Sequence, residues 1–486
     1  MKQDVQLYDT LERRVKPIRP LDGKTVRFYC CGPTVYGPAH IGNFRTFVSQ
    51  DILRRVLELG GQPTRHVRNI TDVDDKTIRQ SQAEGRTLKE FTDAWLELFR
   101  RDCGELNLLP PHIEPSAVEH IPGQVDLIQK LMDRKHAYRA DDGSVYFSID
   151  SFPEYGRLSR VKERELSTNK PAAAGQAIQA DEYERESLAD FALWKARKAE
   201  DGPNFWRSPW SEGRPGWHLE CSCMSMRYLG ESFDLHGGGV DLIFPHHENE
   251  IAQSEAATGK PFASHWFHTT HLLVEGRKMS KSEGNLFTLE ELKAKGFSAM
   301  EVRYVLLAGK YSQPLNFTID SLSAARQALQ KIARSADALA GASGCAEPAY
   351  DEVARDAQSL PVANPFNPAW EALRDDLNTS EALGQTFLAL KETDSAIREG
   401  RLAKTQASEA WLGLQRVLHA LGLVLPKESE ITAPPEIREL AAKRWEAKKN
   451  KDWKAADTYR DQLASAGWVM QDGKDSYKLA PDRKNP

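Results

Sequence analysis

A chain of 486 residues is too long for one hydrophobic core, so about two to four domains are expected. With 40 % apolar and 28 % charged residues and a net charge of −5, it is neither disordered nor a wholly basic nucleic-acid coat. No run approaches the roughly 18–20 apolar residues of a bilayer span, and acids stand where a secretion signal would be apolar, so a cytoplasmic protein with no membrane partner is expected.

In chain order, TVRFYCC (25–31) reads as a buried strand. The Gly- and Pro-rich loop PTVYGPAHIGN (33–43) follows, and Phe44, Phe47, Ile52, Val56 and Leu57 then mark one face of a helix stopped by Gly60-Gly61. PTRHVRNIT reads as a second strand, completing a βαβ unit. Residues 110–215 are polar and read as an insertion, with a mobile segment at PAAAGQAIQADEYERE. SFDLH (232–236) reads as a strand, Gly237-Gly238-Gly239 as a tight loop, and the stretch beyond Pro245 as a helix ending near Gly259.

From about residue 317, apolar positions three and four apart predict a run of helices. Ser298…Glu301 and Asn378…Glu381 carry the capping-box pattern at helix starts. The Ala-, Pro- and Gly-rich stretch 341–368 reads as a loop or linker, and a small module begins after Pro434-Pro435. Residues 438–486 hold twelve Lys/Arg against eight Asp/Glu, a local excess of positive charge in a negative chain.

Six cysteines, too few for a disulfide framework in a chain this long, read as buried hydrophobes, metal ligands or nucleophiles in a reducing compartment. The loop ending at Asn43 sits between strand and helix, where backbone N–H groups and the helix dipole hold phosphate. There Gly42 would let a ring or phosphate approach the backbone, and His40 could donate to a phosphate oxygen gaining charge. Lys278-Met279-Ser280-Lys281-Ser282 offers two ammonium groups to a pyrophosphate leaving group.

Together HIGN and KMSKS resemble the two signatures of class I aminoacyl-tRNA synthetases, with Asn43 where a second histidine is usual. Gly239 and Asp241, in a GxDxxxxH run, resemble that family's ribose- and adenine-binding edge. His246 and Glu250 of HHENE share a helical face. With one Cys from the 30–31 pair and one from the 221–223 pair they make a plausible four-ligand zinc set, the choice within each pair being open.

Five segments, FYCCGPTVYGPAHIG, VRNITDVDDK, GRPGWHLECS, FDLHGGGVDLIFPHHENEIAQSEA and KMSKSEGN, are similar to the cysteinyl-tRNA synthetase family in order and wording. The resemblance implies ligation of one zinc by Cys31, Cys221, His246 and Glu250, and a cysteine pocket lined by Thr71 and Trp217, with His236 a further candidate. It implies catalysis by His40, Asn43, Lys278 and Lys281, ATP held by Gly42, Gly239, Asp241 and Lys281, and Mg2+ accompanying ATP. RWEAKKNKDWKAADTYRDQLASAGWVMQDG resembles the anticodon-binding end, implying tRNA(Cys) contacts by Lys448, Trp453, Asp457 and Asp472.

The expected fold is α/β: a Rossmann-type parallel-sheet catalytic domain split by an insertion, then an α-helical bundle and a small C-terminal domain. The halves are placed at 1–110 and 216–270, the insertion at 111–215, and the KMSKS and stem-contact region at 271–316. The bundle is placed at 317–428 and the terminal module at 429–486. Expected partners are L-cysteine, ATP and tRNA(Cys), acting on a monomer; a separate editing domain should be unnecessary.

Overall fold

The computed structural model describes residues 4–161, 190–279, 284–426, 433–473 and 477–481. The segment expected to be mobile, and Ser280, Lys281 and Ser282, lie outside these residues.

A hairpin of β1 (Gln6–Asp9) and β2 (Arg14–Pro17) precedes β3 (Val26–Cys30), α1 (Ile41–Leu59) and β4 (Thr64–Arg68). Strand β3 is almost wholly buried, as a continuous apolar run in a parallel sheet should be. After α2 (Asp75–Ala83) and α3 (Leu88–Glu105) comes the insertion: α4 (Ile121–Asp133), β5 (Ala137–Arg139), β6 (Val145–Phe147), β7 (Phe191–Ala196), β8 (Trp206–Arg207) and β9 (Glu212–Pro215). Its strands form an antiparallel sheet in the order β5-β6-β7-β9-β8. The core of this sheet, with Phe147 and Trp194, is continuous with Leu219 and Ala252 of the half that follows it.

That half resumes with α5 (Trp217–Leu229), β10 (Leu235–Gly239), α6 (Glu248–Thr258) and β11 (Trp266–Thr269). The central sheet runs β11-β10-β3-β4, all pairs parallel, so β10 joins the two halves edge to edge. Here one expectation is corrected. The three glycines form no tight loop; they are the end of β10, with Gly237 opposite Cys30 and Phe267. A side chain at Gly238 would meet His247 Cε1 at 2.8 Å, so a bare backbone lets the next layer approach.

A three-stranded sheet follows, with β12 (Leu272–Val274) between β13 (Arg277–Lys278) and β14 (Leu315–Phe317). Two short helices, α7 (Leu289–Ala294) and α8 (Ala299–Leu307), lie between β13 and β14, and Ser298 caps α8 as expected. The bundle is α9 (Ile319–Ser343), α10 (Tyr350–Asp356), α11 (Asn367–Arg374), α12 (Thr379–Arg398) and α13 (Lys404–Leu421). Asn378 caps α12. The expected linker 341–368 is a second correction: it holds α10 and the start of α11, because Val353, Ala357 and Phe366 bury their side chains in the bundle core. One core runs from β3 and α1 into this bundle.

The terminal module pairs α14 (Pro435–Lys449) with α15 (Trp453–Ser465) and adds a hairpin, β15 (Trp468–Asp472) and β16 (Tyr477–Pro481). It has its own small core, including Ile437, Ala441, Leu463 and Trp468. Among the described residues no helix is long and apolar enough to cross a membrane.

Candidate metal centre and active site

Where β3 ends, the Cys31 amide donates to the Gly237 carbonyl (3.1 Å), which fixes its thiol at the mouth of the central sheet. Cys221 comes from the second turn of α5, His246 from the turn leading into α6, and Glu250 from the first turn of α6. All four are buried, and their ligand atoms lie within 4.8 Å of one another. Cys31 Sγ is 3.9 Å from Cys221 Sγ and 3.8 Å from Glu250 Oε1, and His246 Nε2 is 3.0 Å from that oxygen. A tetrahedral zinc with ordinary bond lengths needs ligand atoms about 3.3–3.8 Å apart, so this donor set fits the ion.

The electrostatics point the same way. Burial opposes the charge on Glu250, yet His236 and His246 bring its carboxyl down to about 2. Burial likewise opposes a charged His246, but Glu250 and Cys221 raise it to about 10. The Cys221 thiol falls to about 6 despite burial, through its bonds to Cys31 and His246, while burial and the Cys221 thiol drive Cys31 well up. Two thiols and a carboxylate buried face to face form a site complementary to a soft dication.

A second set, Cys31, His236, His247 and Glu250, is equally close-packed. Its two histidines are better understood as supports for the first set. His236 Nε2 lies 2.8 Å from Glu250 Oε2, on the oxygen away from His246. His247 Nε2 is 3.3 Å from Cys31 Sγ, and its Nδ1 continues to His268 (2.7 Å) and on to Thr10 (2.7 Å). His218 meets His246 Nδ1 at 2.8 Å. Such partners fix the ring or carboxylate of a ligand from behind. His218 and His247 stand inside motifs quoted above, but no local pattern marked Thr10 or His268.

Trp217 stacks on the His246 ring, 4.2 Å between centroids, and so flanks the quartet on its histidine side. Thr71 is registered to the loop after β3 by paired bonds with Pro33 and Val35. Its hydroxyl donates to Glu220 and meets the Asn69 amide at 3.2 Å; neither Glu220 nor Asn69 was expected here. His236 is fully buried behind Glu250.

At the start of α1, HIGN is a reciprocal cap. His40 Nδ1 accepts from the Asn43 amide (3.3 Å), and Asn43 Oδ1 accepts from the His40 amide (3.1 Å). An accepting Nδ1 puts the ring proton on Nε2. Met279 packs over Gly42, its Cε 2.1 Å from where a Cβ would stand. Lys278 ends β13, and Lys281 is outside the described residues. Asp241 is exposed just beyond β10, and a side chain on Gly239 would collide with its carboxylate.

In the terminal module Lys448 and Asp472 form an ion pair (2.6 Å) that Arg444 completes with a two-pronged contact. Asp457 pairs with Arg460 at 2.8 Å, and Trp453 is 60 % exposed at the start of α15.

Residues 17–327 match the family described as tRNA synthetases class I (C) catalytic domain. A protein of Opitutus terrae named cysteine–tRNA ligase is 52 % identical over 485 residues, covering 99 % of this chain and 100 % of that one. One of Chlamydia felis with the same name is 42 % identical over 478 residues, covering 98 % of each. Among solved structures, methionyl-tRNA synthetase of Mycobacterium tuberculosis in complex with methionyl-adenylate matches with a TM-score of 0.58 over 82 % of this chain and 89 % of that one. At 14 % identity this likeness speaks to the fold alone.

Proposed function

Since the chain belongs to the cysteine–tRNA ligase family of class I tRNA synthetases, an enzyme family, we propose that it activates L-cysteine with ATP and transfers it to the terminal ribose of tRNA(Cys), selecting cysteine through a zinc ion held by Cys31, Cys221, His246 and Glu250. The observation that carries this is the buried quartet, with Trp217 stacked on its His246. Bound zinc would supply a soft positive centre that favours a thiolate over a hydroxyl and lowers the thiol's pKa. Shape alone separates small side chains by about 1–3 kcal/mol, so a change in the chemistry tested serves better than a tighter pocket.

The chain's own residues do the rest. Trp217 shields the substrate side chain from water, and Thr71 orients the amino acid. The Nε2 proton of His40 meets the oxygen gaining charge as the cysteine carboxylate attacks the α-phosphate. Lys278 and Lys281 neutralise the departing pyrophosphate, accompanied by Mg2+, while Gly42, Gly239 and Asp241 hold the nucleoside. Asn43 contributes by fixing the His40 ring, and catalysis is alignment and charge stabilisation, with no protein nucleophile.

The module 429–486 receives tRNA. Trp453 would stack on an unpaired base, with Lys448, Asp457 and Asp472 as further contacts to tRNA. The enzyme acts as a cytoplasmic monomer in this scheme, with domains at the boundaries set out above. Cysteine-dependent exchange between ATP and pyrophosphate, followed by charging of tRNA, tests it. Exchange with cysteine but not serine, and charging of tRNA(Cys), is the expected result; no exchange with cysteine would sink the proposal.

A further inference from the structure

The side chain of Arg45 lies on α1, five residues beyond His40, and is 1 % exposed. Among the described residues it forms no ion pair, and burial brings its pKa down to about 10. A buried guanidinium is costly unless its donors are used. Its Nη groups donate to backbone carbonyls: Nη1 to His271 (2.8 Å), and Nη2 to Lys310 (3.2 Å) and Gln313 (2.5 Å).

Those carbonyls are not scattered. His271 immediately precedes β12, and Lys310 and Gln313 flank the turn that leads into β14. These strands pair in parallel, and β13, which bears Lys278, hangs on β12. Arg45 therefore grips the root of the sheet from whose edge the KMSKS loop springs. The far side of that loop returns to the same helix, where the Ile41 amide donates to the Phe287 carbonyl (2.9 Å). Between them Met279 rests on Gly42. One helix turn thus meets the loop at both ends, and Arg45 fixes the base from which it is measured.

From this we propose that Arg45 is a positioning residue for the nucleotide. It sets the separation between the HIGN turn and the KMSKS strand from within the core, its two Nη groups bound to backbone carbonyls and not aimed at phosphate. Lysine or methionine at this position leaves the metal quartet untouched, since none of its four ligands contacts Arg45. The inference rests on the proposed ATP chemistry.

The test is cysteine-dependent ATP–pyrophosphate exchange on the full chain and on Arg45→Lys and Arg45→Met. Zinc content and thermal unfolding are measured alongside. Arg45→Met should raise the KM for ATP by about tenfold to a hundredfold, as expected when groups that hold the nucleotide equally in the ground and transition states are displaced. The KM for cysteine and the zinc content should stay near those of the unsubstituted chain. Arg45→Lys, which keeps a cation and up to three donors, should recover part of the loss. If Arg45→Met does not fold, a raised KM for ATP alone in Arg45→Lys carries the point. Equal changes in both KM values, or no change in either, would overturn the assignment. Absence of exchange in the unsubstituted chain would overturn both this role and the ATP chemistry beneath it.

Discussion

At the scale of single residues, the metal quartet differs from four exposed ligands in how it holds protons. Without a cation, Cys221 is deprotonated above about pH 6, Glu250 is ionised above about 2, and His246 keeps its proton up to about 10. Cys31 keeps its proton higher than a free thiol would. Zinc must displace the protons on Cys31 and His246, so affinity should rise between pH 6 and 8, with about two protons released per ion. Competition against a chelator at several pH values would show this; flat affinity would contradict it. Cys221→Ala should bind no zinc at any of these pH values. For the protein without metal the sign runs the other way for His246. Its raised pKa gives stability that is full below its ordinary 6.5 and lost as pH climbs toward 10. The ligand types were legible in the sequence, because thiols and HHENE stand out. Which member of each cysteine pair faces the quartet was not, since side-chain direction in the fold decides it: Cys30 points into the core beside Gly237 while Cys31 faces Cys221 and Glu250, and on α5 Cys223 turns to the His120 carbonyl.

Among the elements, α6 has two jobs, and the sequence displayed one. Glu250 on the helix, with His246 just before it, belongs to the quartet, but Glu248 and Asn249 between them hold the insertion. Glu248, fully buried, accepts from the backbone amides of Gly156 (2.9 Å) and Ser159 (2.7 Å), and Asn249 accepts from the Tyr155 hydroxyl. Glu248→Ala leaves buried amides without an acceptor and should cost about 2–4 kcal/mol. Thermal unfolding, with faster amide exchange confined to 156–159, is the check; unchanged exchange there would refute the account. The amphipathic helices were read well from spacing because each shows one face to a core. The glycine strand β10 was not, because glycine usually signals a turn. Its fit depends on His247 and Phe267, which are close only in space. The helix α10 was hidden for a similar reason: seven residues in a Pro- and Gly-rich stretch show too little periodicity until Val353 finds the bundle.

For the molecule as a whole, the division of cores predicts what can be removed. The terminal module packs around its own apolar cluster, whereas the bundle shares one core with the sheet. A chain ending at residue 426 should therefore keep cysteine-dependent ATP–pyrophosphate exchange within about threefold while tRNA charging falls by at least about tenfold, taking each measured ratio as a free-energy difference. Loss of exchange on truncation would mean that the module supports the catalytic fold. The charge excess of that end was visible in the sequence, and its hairpin was not, because WVMQD and YKLAP are too short to announce a pairing. The metal quartet spans the molecule differently: Cys31 and Glu250 stand 219 positions apart. During synthesis, the first thiol waits while the whole insertion is made, and only the arrival of α6 supplies its last partner. On the proposed zinc reading, metal uptake would thus be a late event in the life of each chain and a signal that both halves have met. Two separately produced pieces, cut within the insertion, would be clasped by the same ion, so bound zinc would count correctly assembled pairs.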